Sequence, residues 1–482
     1  MKLIYTVKNF AIYLFLFALL NLHAQCNKNG NGGGSSNPPA TNDIEVWLTK
    51  ADQSILLAKQ GGTISFGTIK NSYPDVTVND AQTYQTIDGF GYTLTGGSAM
   101  LINQMEAAAK TNLLNELFGM GTNAIAVSYL RLSMGASDLD ASVFSYNDLP
   151  AGETDINQTK FSIAPDKVNL IPVLKSMLAI NPSIKIIATP WSPPVWMKDN
   201  NNSIGGSLKP EYYPSYAQYF VKYIQAMKAE GITITAITPQ NEPLHPGNNP
   251  SMYMTAEQQR DFIKNSLGTA FEAANISTKI IVYDHNLDRP DYPATIYNNA
   301  DAAKYVDGAA FHLYAGDVSA MGNLHNAFPQ KNLYFTEQWT GANGTFDGDL
   351  QWHIKNVIIG TMRNWSKTAF EWNLANDPTY GPHTPGGCTE CKGALTINGT
   401  AVTKNVAYYI IAHASKFVTP GSVRIESNNA GSIQNVSFLR SDGKKVMIAL
   451  NENASPYTFN LKYKEKWAPV TVAGKAVVTI LW

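Results

Sequence analysis

Between about residues 84 and 376 one pattern repeats along the chain: a short apolar or β-branched run, then a segment with helical spacing, then another run. Eight such runs stand out: Ile87 to Tyr92, Ala126 to Met134, Ile184 to Trp191, Ile232 to Glu242, Lys279 to His285, Val306 to Tyr314, Asn332 to Trp339 and Thr368 to Asn373. Strands alternating with helices indicate a parallel sheet, and eight strands is the number that closes a (β/α)8 barrel. The intervening text agrees. Tyr216, Phe220, Tyr223 and Met227 recur at helical steps on one face, with Ser215 as the expected N-cap and Gly231 as the stop. Thr255 and Gln258 spell a capping box ahead of Ile263, Leu267 and Ala270. The poorest helix links the fifth and sixth strands, where Asp288 to Pro293 carries two prolines.

The 482 residues exceed the roughly 250–300 at which a single core stops growing, so a second, smaller unit is expected. Ile44 to Leu48 and Thr63 to Phe66 read as short strands before the barrel. After the last crossover helix, from about Val406, strand-like text returns: Tyr457, Phe459, Leu461 and Tyr463 alternate with polar residues, and Ser441-Asp442-Gly443 signals a turn. The expected fold class is therefore α/β: a (β/α)8 TIM barrel with an all-β sandwich side domain built from both N- and C-terminal segments. The expected divisions are a signal peptide over 1–25, a tether over 26–42, side-domain strands over 43–80, the barrel over 81–405 and the sandwich over 406–482.

Lys2 and Lys8 precede an apolar run from Phe10 to Leu20. The run is shorter than the roughly 20 residues of a membrane span and has the anatomy of an export signal. Cleavage after Ala24 fits the small-residue rule, while Cys26 opens a tether of Asn, Gly, Ser and Pro, as in bacterial lipid-anchored proteins. Gln25 is a poor residue before a lipid-accepting cysteine, so a cell-surface lipoprotein and a freely extracellular or periplasmic protein stand as alternatives. Membrane contact is expected only through that anchor, and the protein is expected to be a monomer. Two further cysteines, Cys388 and Cys391, are spaced Cys-x-x-Cys. That spacing fits zinc, a redox pair or a local disulfide. A structural zinc wants four protein ligands and the mature body has no second cysteine pair, so in an oxidising compartment the disulfide is favoured and no metal is expected.

Lys and Arg total 36 against 37 Asp and Glu, a net charge of -1. Such a balance creates no field to gather a polyanion, which argues against nucleic acid as a partner. Aromatic residues are 11% and charged residues 15%, a balance that suits uncharged ligands with apolar faces, such as sugars, although a large core would produce it too.

The site of a barrel enzyme lies at the carboxyl ends of its strands, and here those ends are rich in functional side chains. The second strand supplies Arg131, with Asp138 in its loop, and the third supplies Trp191 and Trp196. The fourth ends in Gln240-Asn241-Glu242-Pro243 and the fifth in Asp284-His285-Asn286. The sixth brings His312 and Tyr314, the seventh Thr336-Glu337-Gln338-Trp339, and the eighth Glu371-Trp372-Asn373. One strand-end glutamate is weak evidence, since most are solvated or paired. Two, on strands four and seven of a ring of eight, can face each other across the mouth. Cleaving a glycosidic bond with retention needs such a pair, one protonated and one ionised, about 5 to 5.5 Å apart. Asn241 beside Glu242 is placed to hold a sugar 2-hydroxyl. Arg131 and Tyr314 would keep Glu337 ionised, with Glu242 held partly protonated; His312 and His285 are supporting residues. Trp191 and Trp372 would wall a sugar ring, though a lone tryptophan is more often plain core, and Arg131 could equally be a structural ion pair inside the barrel.

The chain resembles glycoside hydrolase family 30, the clan that includes lysosomal acid β-glucosidase. The resemblance rests on Gln85-Thr86-Ile87-Asp88-Gly89-Phe90-Gly91, Leu130-Arg131-Leu132-Ser133-Met134 with Asp138, Thr189-Pro190-Trp191-Ser192-Pro193-Pro194, Gln240-Asn241-Glu242-Pro243, Thr336-Glu337 and Trp372-Asn373-Leu374-Ala375, in order along almost the whole mature chain. It implies a barrel with a β side domain, retention of configuration, Glu242 as acid/base and Glu337 as nucleophile. It also implies glucose contacts from Asp138, Trp191, Asn241 and Trp372. Asp284-His285-Asn286 with Arg289-Pro290-Asp291-Tyr292-Pro293, the stretch Gly386-Gly387-Cys388 through Cys391-Lys392-Gly393, and Ser415-Lys416-Phe417-Val418 look like the endo-β-1,6-glucanase branch. Leu313, between His312 and Tyr314, departs from the Trp usual in the glucosylceramidase branch.

The expected activity is retaining hydrolysis of a β-1,6-linked glucan, with no cofactor. The alternatives are a glucosylceramidase-like enzyme acting on small or lipid-linked β-glucosides, and a non-catalytic surface protein that only binds glycans. The second is disfavoured by the two carboxylates, because recognition has no use for a nucleophile.

Overall fold

The computed structural model describes residues 43–482. The expected signal peptide, Cys26 and the tether lie outside the described residues. The eight barrel strands are β1 (Gly89–Leu94), β2 (Tyr129–Ser133), β3 (Lys185–Thr189), β4 (Ala236–Ile237), β5 (Lys279–Asn286), β6 (Val306–His312), β7 (Asn332–Glu337) and β8 (Thr368–Asn373). Each pairs in parallel with its neighbour in the ring, from β7 back through β1 to β8. The remaining seam is nearly closed: Leu333 bridges Ser366, Lys367 N–H donates to Leu333 O at 2.9 Å, and Thr368 Oγ1 donates to Phe335 O at 3.1 Å.

Strand alternation sorts the barrel interior into layers. Tyr129, Ile187, Ala236, Ile281, Ala310, Tyr334 and Phe370 form one apolar cluster, contributed by seven strands. Two residues further on, the interior turns polar: Arg131, Thr189, Thr238, His312 and Thr336 are all buried there, with Trp372 beside them. β1 contributes Gly91, where a Cβ would lie 1.8 Å from Tyr129 O, so only glycine lets these two strands meet.

Tyr216, Phe220, Tyr223 and Met227 are all buried on the helix Tyr213–Ala229. This helix starts before the expected cap. Pro214 presets the first-turn backbone, and Ser215 instead takes a hydrogen bond from Gln158 Nε2 at 3.0 Å inside the helix. Thr255 and Gln258 make the capping box. The proline-bearing link between β5 and β6 forms two short helices, Asp291–Tyr297 and Ala300–Ala303.

The side domain is a nine-stranded sheet from both ends of the described chain. Its N-terminal members are Glu45–Lys50, Ala58–Lys59 and Asp75–Thr86, the last running past position 80 to lead into the barrel. Thr63 to Phe66 is not a strand: the run is flanked by Gly61, Gly62 and Gly67, and only Gly67 bridges the sheet, at Trp467. The C-terminal members are Val423–Ser427, Ile433–Leu439, Lys445–Asn451, Tyr457–Tyr463, Lys466–Val472 and Ala476–Leu481. All neighbours are antiparallel except Asp75–Thr86 with Tyr457–Tyr463.

The helix Val406–Ser415 belongs with the barrel, since Tyr92 Oη of β1 donates to its Ala407 O at 3.2 Å; the chain crosses into the sheet only after it. The same helix ties the two parts together. Its buried His413 meets Thr479 Oγ1 and Thr49 Oγ1, each at 2.8 Å, on the last and first long strands of the sheet. Burial pushes the His413 imidazole down to about 3, which keeps it neutral.

Gly91→Ala should destabilise the protein by about 1–3 kcal/mol or more, the cost of overpacking a closed interior. A lowered urea midpoint with an unchanged slope would show it; an unchanged midpoint would mean β1 and β2 can separate.

Candidate active site

Three register shifts shape the mouth of the barrel, and each lies where a strand delivers a functional side chain. In β5 the pairing skips between Tyr283 and His285, and both Tyr283 and Asp284 adopt positive φ, 74° and 64°. The extra residue lets Asp284, rather than Tyr283, occupy the interior position above Ile281. In β7 the shift falls between Phe335 and Glu337, so Thr336 and Glu337 both serve the mouth. In β8 it falls between Glu371 and Asn373, around Trp372. Glu242 follows the very short β4 in a left-handed conformation, φ 43°, held by its own N–H on Asp284 O at 3.0 Å. Non-glycine residues in that region store strain that surrounding structure must hold.

Arg131 is completely buried and joins these ends. Its Nη1 donates to Glu337 Oε2 at 2.6 Å, and its Nη2 donates to Asn241 Oδ1 at 2.6 Å and Asp284 Oδ2 at 2.8 Å. Tyr314 Oη donates to the other Glu337 oxygen at 2.8 Å. His312 spans the remaining carboxylates, with Nδ1 3.1 Å from Glu242 Oε1 and Nε2 3.2 Å from Asp284 Oδ1. Thr189, Thr238 and Thr336 also donate to Asp284, at 3.2, 2.9 and 2.6 Å.

The charges follow from these contacts. Burial works against ionised Asp284, but Arg131, His312 and the Thr336 hydroxyl outweigh it and hold the acid far below the usual carboxylate range. Burial also works against His312 cation, yet Glu337, Asp284 and Glu242 push its pKa up to about 9. Burial raises Glu337, with Glu242 adding to it, while His312, Arg131 and Tyr314 pull the other way. Glu242 feels the same burial, but the His312 hydrogen bond and charge more than offset it and draw its pKa below the ordinary value. Two cations thus face three carboxyls, and the Glu242–Glu337 pair titrates as a unit. The donors decide where the charge rests. Glu337 is fixed by a guanidinium that cannot be discharged and by a phenol, whereas Glu242 depends on one titratable imidazole.

Around this network lies a pocket of about 390 Å³ walled by Asp138, Trp191, Asn241, Tyr314, Trp339 and Trp372, with both glutamates in its lining. Trp191 and Trp372 stand 5.3 Å apart by ring centroid, and the Arg131 guanidinium lies 4.8 Å from the first and 5.6 Å from the second. Cys388 and Cys391 are joined by a disulfide that lines the same pocket, and Cys388 N–H donates to Asp138 Oδ2 at 3.3 Å. Burial, with the charge of Glu337, pushes Asp138 up to about 7. His285 lines the pocket 3.9 Å from Glu242, driven down to about 4 by burial.

Glu242, His312 and Glu337 offer ligand atoms within 4.8 Å of one another. A cation there would have to displace the Arg131 and Tyr314 bonds to Glu337 and the imidazole bond to Glu242, so these donors fit a charge-balanced acid pair better than a metal seat.

Arg131, Asp138, Trp191, Asn241, Glu242, His285, His312, Tyr314, Glu337, Trp372, Cys388 and Cys391 lie together here, whereas Trp196, whose indole donates to Asn147 O at 3.0 Å, and Glu371, bonded to His353, stand outside the pocket. What sequence reading missed is the weight carried by Asp284, seen only as part of a strand-end cluster, and by the three threonines that clamp it. Their signal was present: each threonine sits two residues after an inward apolar residue of its strand. Trp339, His245, Asn248 and Asn286 also line the pocket.

A nearly closed parallel barrel with two buried glutamates converging in an aromatic pocket at the strands' carboxyl ends defines a glycoside-cleaving class of enzyme. Residues 87–418 match the glycosyl hydrolase family 30 TIM-barrel domain and residues 421–480 its beta sandwich domain, and the chain belongs to that family. It is 34% identical over 435 residues to an endo-1,6-beta-D-glucanase of Neurospora crassa, covering 85% of this chain and 89% of that one. It is 28% identical to the lysosomal acid glucosylceramidase of Mus musculus, covering 84% and 83%. Among solved structures, the endo-beta1,6-glucanase BT3312 superposes with a TM-score of 0.85 at 37% identity, covering 91% of this chain and 99% of that one.

His312 gives a testable pH dependence. Its folded pKa of about 9 lies above the ordinary 6.5, so its stabilising contribution is complete below 6.5 and is lost as pH rises toward 9. Unfolding free energy should fall across that window in the native protein and fall less steeply in His312→Gln. Parallel slopes in the two proteins would refute the assignment.

Proposed function

We propose that this enzyme is a retaining β-glucanase acting on β-1,6-linked glucose, with Glu242 as acid/base and Glu337 as nucleophile. The observation that carries the reading is the approach of one oxygen from each carboxyl to within 4.8 Å, with Glu337 already gripped by Arg131 and Tyr314. That spacing suits direct attack on the sugar and leaves no room for the water that an inverting pair holds across about 6.5–9.5 Å.

In the first step a Glu337 oxygen bonds to the anomeric carbon as the glycosidic C–O bond breaks, and Glu242 gives its proton to the departing oxygen. In the second, ionised Glu242 takes a proton from water, whose oxygen displaces Glu337 and restores both acids. Arg131 holds Asn241 by its amide oxygen, leaving the amide nitrogen as the donor available to a sugar 2-hydroxyl. Trp191 and Trp372 supply apolar faces, and Asp138 meets a hydroxyl at the pocket wall. The relatives support the β-1,6 linkage: both endo-1,6-glucanases named above align along most of their length, at higher identity than the glucosylceramidase. The basic and apolar N-terminal run supports export, with Cys26 as the candidate lipid site.

Incubation with β-1,6-, β-1,3- and β-1,4-glucans and with glucosylceramide should yield short oligomers from the β-1,6 polymer alone. Cleavage confined to the lipid glucoside would transfer the assignment to a glucosylceramidase. Glu242→Gln should lose about 10²–10⁴-fold on glucan and far less on an aryl glucoside whose leaving group needs no proton, whereas Glu337→Gln should lose activity on both. Equal losses in Glu242→Gln on the two substrates would reverse the roles.

A further inference from the structure

A second cavity of about 610 Å³ opens beside the catalytic pocket and shares Tyr314 and Trp339 with it. We propose that this groove binds glucosyl residues of the glucan beyond the scissile linkage, an inference that rests on the β-1,6-glucanase reading.

The groove is built rather than incidental. Thr345 caps the helix Phe346–His353 by accepting from Gly348 N–H, and that helix presents Asp349, Trp352 and His353 at i, i+3 and i+4, one face of a helix. All three line the groove. His353 is anchored by Glu371 at 2.8 Å, on β8 immediately before Trp372 of the catalytic pocket, so one strand supports both cavities. The opposite wall is tied to the disulfide loop: Thr340–Gly341 pairs with Cys391–Lys392, and Asn343 Nδ2 donates to Glu390 Oε2 at 3.3 Å.

Two features point to a sugar chain as the occupant. Trp352 and Tyr314 are 40% and 39% exposed at this one place, offering flat apolar faces next to the reacting pair. The rest of the lining mixes Leu313 with polar side chains: Asp349, Asn343 and Glu390 accept and donate as sugar hydroxyls require, and an acyl chain laid over them would desolvate them without recompense.

The test compares kcat/KM for long β-1,6-glucan, for β-1,6-oligomers of increasing length and for an aryl β-glucoside, which reports the catalytic centre alone. In Trp352→Ala the ratio of polymer to aryl glucoside should fall at least tenfold, chiefly through KM, with the loss growing with oligomer length. Trp352→Phe should restore most of it, and Ile69→Ala, 87% exposed on the N-terminal segment, should leave the ratio intact. A parallel fall on both substrates, or no fall on either, overturns the groove. So does a fall seen with glucosylceramide and not with glucan, which would hand the groove to an acyl chain. If the unaltered enzyme hydrolyses the aryl glucoside and leaves β-1,6-glucan uncut, the functional reading fails and takes the groove with it; polymer cleavage undisturbed by Trp352→Ala rejects the groove alone.

Discussion

A guanidinium sealed inside a barrel is affordable only when anions close around it, and Arg131 is the charge on which the rest of this site is arranged. It touches Glu337, Asp284 and Asn241 from three different strand ends and lies against two tryptophan rings. Breaking a buried ion pair by removing one partner costs about 3–5 kcal/mol, because the survivor is left charged in a medium that cannot solvate it. The same cost makes the arrangement rigid. Glu337 cannot wander from the guanidinium, and Asn241 is oriented through its oxygen, so the acid beside it and the nucleophile opposite share one reference point.

Asp284 is the counterweight that lets two cations coexist beneath the pair. Three threonine hydroxyls, Arg131 and His312 satisfy it, so it remains ionised and can keep His312 charged next to Glu242. It reaches the interior only through the backbone irregularity in β5, where two successive residues take positive φ. Strain in that strand end and at Glu242 is linked directly, since the Glu242 N–H closes on the Asp284 carbonyl. Local backbone strain is thus spent on aiming side chains that a regular strand would send elsewhere.

The outer scaffold shows the same economy. The loop stapled by the disulfide gives Asp138 a backbone donor, lines the catalytic pocket and pairs with the segment that follows Trp339. Far from the mouth, neutral His413 bonds the last barrel helix to both the first and last long strands of the sheet, joining segments separated by most of the chain.

Much of this was legible in the text of the chain. Periodicity named the eight strands and the Tyr216–Met227 helix face, because burying one side of an element imposes its own repeat on the residues. Strand-end chemistry named Glu242, Glu337, Arg131 and Tyr314, because a parallel barrel gathers its carboxyl ends at one mouth whatever the details. Position along a strand could not reveal the bulge that turns Asp284 inward or the groove that Trp352 shares with Trp339. Those depend on register between strands and on how a helix seats against its neighbours. Such relations are set by packing between segments remote in the chain, and no local stretch of residues encodes them.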